Sequence, residues 1–253
     1  MPSGYKEIAD DIDRRIRNEE WGDGKLPSVR ALQDEYDTTK VTVRRALAEL
    51  EDRGSIVLHD RSRARIRTRT PIRVPLSRYG RVMAPGGDKG PWETACADLG
   101  LDGRMQPVEV VKEPAPADVA AALGIDASAR VVRRTRFALV GEEVVQLQDA
   151  FYDAMFAAQT GLDSPDKIVG GVYGALTALG LAPTEADERV SGGLPTPREC
   201  EVLHIGSGVP VLRLERVTRS GDRLLEVLRV SVPVDRVEFV YDGLPLGGER
   251  PGS

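Results

Sequence analysis

The sequence predicts an α+β protein in two parts. A small helical domain ending in a β-hairpin precedes an antiparallel sheet with helices packed on it. Three observations predict this. Residues 5–54 carry apolar positions at helical spacing in three successive runs. Residues 105–232 alternate β-branched, strand-like runs with short helical ones. Turn dipeptides at Gly141-Glu142 and Gly221-Asp222 fold four of those strand runs into two hairpins. A chain of 253 residues is long enough for two separate cores.

In the first run, Tyr5, Ile8, Ile12 and Ile16 fall on one helix face, ending before Gly22. Trp21 and Leu26 are placed to plug the open end of the core. Pro27 and Ser28 start the second helix, on which Val29, Leu32 and Tyr36 share a face. Asp37 tolerates a left-handed backbone and can close that helix. Thr38 or Thr39 then caps a third helix, with Val43, Ala46, Leu47 and Leu50 as its buried stripe. Lys40, Thr42, Arg44 and Arg45 lie mostly away from that stripe. A helix with an apolar back and a cationic, hydroxyl-bearing front suits the DNA major groove: Arg and Lys reach guanine edges or phosphates, and Thr reaches phosphate or a thymine methyl. An ordinary helical hairpin with a solvated charged face would show the same spacing.

After Gly54, residues 56–58 and a strand containing Ile66 read as a hairpin turning near Arg61-Ser62. Arg61, Arg63, Arg65, Arg67 and Arg69 recur at every second residue, which places them on one face of an extended strand. Like charges on one face repel unless an anion neutralises them, and a phosphate backbone is such an anion. A solvated edge strand, charged to deter aggregation, is the competing reading.

Composition bounds the function classes. Net charge is −5, but residues 1–70 hold 15 Lys and Arg against 14 Asp and Glu, and the remainder 20 against 26. A local cationic patch is compatible with an acidic total. No apolar run approaches the ~20 residues of a membrane span, and the amphipathic N-terminus does not read as a signal peptide, so a cytoplasmic protein is expected. Cys96 and Cys200 lack metal or redox spacing, and His59 and His204 are isolated, so neither a metal site nor a cofactor is expected.

The stretches GYKEIADDIDRRI, KLPSVRAL and TTKVTVRRALAELEDRG, in that order, resemble the winged helix-turn-helix domain of GntR-family transcription regulators over about residues 4–68. The resemblance implies that Arg30, Lys40 and Arg44 hold DNA. With the neighbouring positions, the candidate DNA-contacting set is Ser28, Arg30, Lys40, Thr42, Arg44 and Arg45, joined by Arg61, Arg63 and Arg65 of the wing. The family's glycine-rich wing tip is replaced here by residues 60–65, Asp-Arg-Ser-Arg-Ala-Arg.

The boundaries expected are a DNA-binding domain at 1–69, an interdomain connection at 70–92 and a C-terminal domain at 93–245. Proline and glycine prevent a long helix in the connection, though Ile72, Val74 and Leu76 could form short strands. Beyond it, strands are expected at 105–111, 130–140, 144–152, 185–191, 210–220 and 224–232. Helices are expected at 116–123, 172–179 and 197–203. A helix followed by VVRRTRF echoes a later helix followed by PVLRLERV, so two similar helix-plus-hairpin units are expected in one sheet.

This half resembles the effector domain of the HutC subfamily, called UTRA, whose fold is that of chorismate lyase. The motifs are Leu123-Gly124-Ile125 with VVRRTRFALVGEEVV, then VYGAL, then RVTRSGDRLLEVLRVSVPVDRVEF. The resemblance implies a domain that binds a small-molecule effector, and it matches Arg134, Arg136, Gln148, Gly171, Tyr173 and Val230 or Val232 to effector-facing positions. Arg134 and Arg136 share a strand face and suit a carboxylate or phosphate; pairing with Glu142, Glu143 or Asp149 is the alternative. Gln148, Gly171 and the valines replace a family glutamate, serine and tyrosine, which favours a ligand with one acidic or polar end and an apolar body. The expected protein is a homodimeric repressor on a palindromic operator. A C-terminal domain that only dimerises, or a lyase-like enzyme, are the alternatives; fold alone does not decide.

Overall fold

The computed structural model describes residues 2, 4–58, 63–67, 71–75, 91–166, 168 and 171–241. The wing-tip residues Asp60, Arg61 and Ser62, with Arg69 and most of the 70–92 connection, lie outside the described residues. Contacts divide the chain into two compact units. The first joins residues 1–70 to 192–212 and 233–236, and the second holds 71–191, 213–232 and 237–253.

In the first unit, α1 (Tyr5–Arg17), α2 (Val29–Tyr36) and α3 (Lys40–Asp52) form where the apolar spacing places them. Ser28 caps α2 by accepting from the Ala31 amide, and Thr39 caps α3 by accepting from that of Thr42. Such caps are each worth about 1 kcal/mol. Asp37 is left-handed at φ 45° and closes α2. Ile8, Ile12, Leu26, Leu32, Val43 and Leu50 are fully buried together. β1 (Ile56–Val57) pairs antiparallel with β2 (Arg65–Ile66), and the Leu26 amide donates to the Ala64 carbonyl, which ties this hairpin to the chain before α2.

Segment 192–212 completes this unit. It contains α8 (Pro197–Leu203), opened by Thr196 and Glu199 in a reciprocal capping box. Its Gly206 and Gly208 lie against the last turn of α3, where the Ser207 hydroxyl donates to Asp52 at 2.7 Å. A Cβ on Gly206 would fall 2.5 Å from the Asp52 Cα, so only glycine fits.

Almost wholly in the second unit, β4 (Gly103–Pro114), β5 (Arg130–Val140), β6 (Glu143–Asp153), β7 (Glu185–Gly193), β8 (Val211–Ser220) and β9 (Arg223–Pro233) build one sheet in the order β4-β5-β6-β9-β8-β7. That order contains the repeat expected from the sequence. Strand, short helix and hairpin occur twice, and the two hairpins meet at β6 and β9. α5 (Ala117–Leu123) precedes the first hairpin as α8 precedes the second. Gly124 ends α5 and His204 ends α8, both left-handed, each followed by isoleucine. Further elements are α4 (Pro91–Ala97), α6 (Ala154–Thr160) and α7 (Gly171–Ala178), with β3 (Ile72–Pro75) parallel to β10 (Val237–Val240). α5 covers one sheet face, where Val119 and Leu123 pack on Val131, Phe151 and Val227. The opposite face carries Arg134, Arg136 and Tyr152.

One sequence expectation is corrected here. Arg67 was expected on an exposed arginine stripe with Arg63 and Arg65. It is buried instead, with its guanidinium 3.2 Å from Asp235. β2 ends at Ile66, so the two-residue period no longer governs the direction of Arg67.

Candidate functional site

The candidate DNA-reading surface is the front of α3 with the start of α2. Arg30, Lys40 and Arg44 are exposed and form no ion pair among the described residues. Several other cations of this unit are committed. Arg15 binds Glu20 and Glu35 beneath Trp21, Arg53 binds Asp10 and Glu49, and Arg67 binds Asp235. Thr42 is half-buried and shares a 3.0 Å hydroxyl contact with Thr39 at the helix start. Ser28 is occupied as the α2 cap. Arg45 is also exposed, but its guanidinium lies over the Tyr5 ring of α1 at 4.5 Å. Residue 45 is ~100° around the helix from 44, which turns it toward α1. On the wing Arg63 and Arg65 are exposed, with Arg63 3.7 Å from Asp23, and Arg61 lies outside the described residues.

The candidate effector surface is the sheet face opposite α5. Register fixes its membership: Arg136 stands opposite Gln148, and Gln148 opposite Val230. Arg134 stands opposite Ala150, and Ala150 opposite Leu228. Tyr173 reaches this face from α7, its hydroxyl donating to Glu226 at 3.0 Å and lying 3.1 Å from the Thr218 hydroxyl. The buried Tyr152 hydroxyl donates to the other oxygen of Glu226, and burial, with the nearby carboxylate, holds its pKa well above the usual phenol range. Val230 and Val232 are buried and add an apolar wall.

The two arginines do different work. Arg134 donates to the carbonyls of Leu162, Ser164 and Asp166. It therefore clamps the segment between α6 and α7, which corrects its expected role as a free anion anchor. Burial lowers its pKa. Arg136 keeps its capacity: its Nε is buried without a hydrogen-bond partner, as is Nε2 of Gln146, whose oxygen accepts from Gln148. Gly171 is exposed at the start of α7 with φ 72°, and a Cβ there would meet nothing within 4 Å, so it does not line a close contact.

Residues 98–238 match the UTRA domain, and residues 4–66 match the bacterial regulatory proteins of the gntR family. The chain belongs to the GntR family, in its UTRA-bearing form. It is a DNA-binding transcriptional regulator, and the family it belongs to consists of such regulators. Similar proteins agree along nearly the whole length. The HTH-type transcriptional regulator SCO4628 of Streptomyces coelicolor is 28% identical over 249 residues, covering 94% of this chain and 91% of that one. The HTH-type transcriptional repressor PhnF of Mycolicibacterium smegmatis is 26% identical over 244 residues, covering 93% and 90%. Among solved structures, one assigned to the GntR family superposes with a TM-score of 0.61 at 24% identity, covering 96% of this chain and 98% of that one. PhnF from Mycobacterium smegmatis superposes with 0.54 at 23% identity, covering 92% and 97%. At those identities the likeness is one of fold.

Within this GntR-family frame, two residues were not among the sequence candidates. Val41 is 67% exposed at the first turn of α3, between Lys40 and Thr42. Its signal is an apolar side chain outside the Val43, Ala46, Leu47 and Leu50 stripe. Glu226 is only 2% exposed, and its signal is a single carboxylate inside the apolar run LLEVLRV. It places a carboxylate on the same sheet face as Gln148.

Proposed function

We propose that this GntR-family regulator is a cytoplasmic repressor that binds a palindromic operator as a homodimer and is released by a small molecule held on the sheet face of its UTRA domain. The observation that carries the DNA half is the exposed, unpaired set Arg30, Lys40 and Arg44 on a capped helix pair, where Arg53 by contrast pairs with Asp10 and Glu49 and Arg45 lies over Tyr5. Exposed Val41 adds an apolar tip that suits a thymine methyl. Arg63 and Arg65 of the wing supply sequence-independent phosphate contacts. PhnF, aligned along most of both chains, is a transcriptional repressor, which favours that sign of control. The effector half is supported by the unfilled donors of Arg136 and Gln146 on a face reached by Tyr173. Ligand acts by binding one arrangement of the protein better than another, since only that difference shifts DNA affinity.

The test is fluorescence anisotropy on operator and random duplexes with circular dichroism as the folding control. Arg30→Ala and Arg44→Ala should each weaken operator binding by about 1–3 kcal/mol with unchanged helicity. Replacing Arg63 and Arg65 together should weaken both duplexes alike and reduce the salt slope by about two units. Wild-type affinity in the first pair would remove α2 and α3 from the interface, and an unchanged salt slope would assign the wing charges to solvent.

A further inference from the structure

The sheet face opposite α5 holds two unmatched charges at different places. Glu226 is 2% exposed, and its partners are the hydroxyls of Tyr152 and Tyr173; no Lys or Arg lies within ion-pair distance of it among the described residues. Arg136 has the opposite problem, with a buried, unpartnered Nε and no carboxylate within ion-pair distance among the described residues. Beside it Gln146, 3% exposed, also has an unfilled donor, and it shares the face because it pairs across from Ala138 and bonds to Gln148. Buried charges and donors without partners are costly, and a ligand is a means of compensating them.

The space between the two ends has its own chemistry. Val230 lies in the Arg136 row, Leu228 in the next, and Glu226 bonds to Tyr152 one row further, so along β9 the path from the cationic to the anionic end runs past two buried aliphatic side chains. Four residues of strand span about 13 Å, and side chains reaching inward shorten that gap.

Resting on the effector-site reading above, we infer that the effector is dipolar, with an acid at one end, an amine at the other and an aliphatic spacer between them. The acid oxygens accept from Arg136 and Gln146. The ammonium donates to Glu226, whose two phenol partners fix the carboxylate in place. The aliphatic spacer lies against Leu228 and Val230. The sequence expectation of one acidic or polar end and an apolar body is thereby extended by a second, cationic end.

The experiment uses the full-length protein, thermal shift and calorimetry. The probes are ω-amino carboxylates and ω-aminoalkyl phosphonates of graded length, each beside the same acid without its amine and its N-acetyl derivative. A narrow range of lengths should stabilise the protein, and removing or acetylating the amine should weaken binding by at least about tenfold, as expected for a lost charge-assisted contact. Glu226→Gln should reduce that ratio to about one while retaining the amine-free acid. Arg136→Gln should lose both. Amine-free acids that bind as tightly as amino acids, with loss in Arg136→Gln, would end the dipolar class while leaving the effector site standing. Binding insensitive to Arg136→Gln, or no binding by any probe, would overturn the proposal together with the site beneath it. The wild-type ligand ratios decide the matter even if Glu226→Gln does not fold, and which acid is preferred separates carboxylate from phosphonate ligands.

Discussion

Asp11 and Tyr36 show how single side chains hold the DNA-reading unit together. The Tyr36 hydroxyl donates to Asp11 at 2.8 Å and accepts from Arg15 at 3.0 Å, joining α1 to α2. Burial and the Asp11 carboxylate push the Tyr36 phenol up to about 12. Against the opposing effect of its own burial, Asp11 is held below its ordinary 3.8 by the Tyr36 hydroxyl and by Arg14 and Arg15. A carboxylate with a depressed folded pKa contributes stability above its unfolded value and loses it as pH falls through the folded one. Asp11→Asn should therefore cost about 1–2 kcal/mol at pH 7, below the ~1.5–3 kcal/mol of fully shielded hydrogen bonds to charged groups because solvent screens the exposed Arg14 partner. Urea unfolding should show that cost shrinking below the ordinary value of 3.8; a difference constant from pH 7 to acid would show that the charge contributes nothing. At this scale the sequence is readable where chemistry is local. Asp37 as a left-handed closer and a threonine cap at 38 or 39 follow from their neighbours alone, and the structure selects Thr39. Arg45, Arg67 and Arg134 do not, because Tyr5, Asp235 and the 162–166 carbonyls that claim them come from distant parts of the chain or from side chains that spacing cannot aim.

Among the elements, the loop after α8 is the one whose fit leaves least freedom. The last turn of α3 is met by two glycines with almost no clearance, and a third just beyond it is as tightly placed. Gly206 and Gly208 face the backbone of Asp52, and a Cβ on Gly54, which follows α3, would come within 2.4 Å of Val209. Gly206→Ala should destabilise the first unit by about 1–3 kcal/mol, the usual cost of overpacking, because the atoms it meets are backbone and cannot swing aside. Faster amide exchange confined to the end of α3 and to residues 204–209 is the expected signature, and wild-type exchange and melting would refute it. Nothing in local sequence pattern announces this contact. The strands of the six-stranded sheet were legible because β-branched alternation and glycine turns are local signals. α6 was not, since it follows β6 directly through the Asp153 cap with no turn between them. The parallel pairing of β3 with β10 joins residue 72 to residue 237, and no window on the sequence spans that distance.

At the level of the whole molecule, charge and reading length together set the assembly. The chain carries −5 overall, with the acidic excess in residues 71–253, so affinity for DNA must come from a small cationic surface rather than from the total field. One recognition helix with one wing reads only a few base pairs, too few to single out an operator among competing sites. Two copies related by a two-fold axis double the contacts, and each then reads one half-site. Light scattering at micromolar concentration should therefore give twice the 27.5 kDa of a single chain. Operator titration should saturate at two chains per duplex. Inserting about half a helical turn, roughly five base pairs, between the half-sites should abolish most of the specific affinity, because it rotates one half-site to the opposite side of the DNA. Random-sequence binding should be untouched by that insertion, since phosphate contacts carry no register. A monomer in solution that binds one-to-one, with an affinity indifferent to half-site spacing, would sink the dimer and with it the palindromic operator.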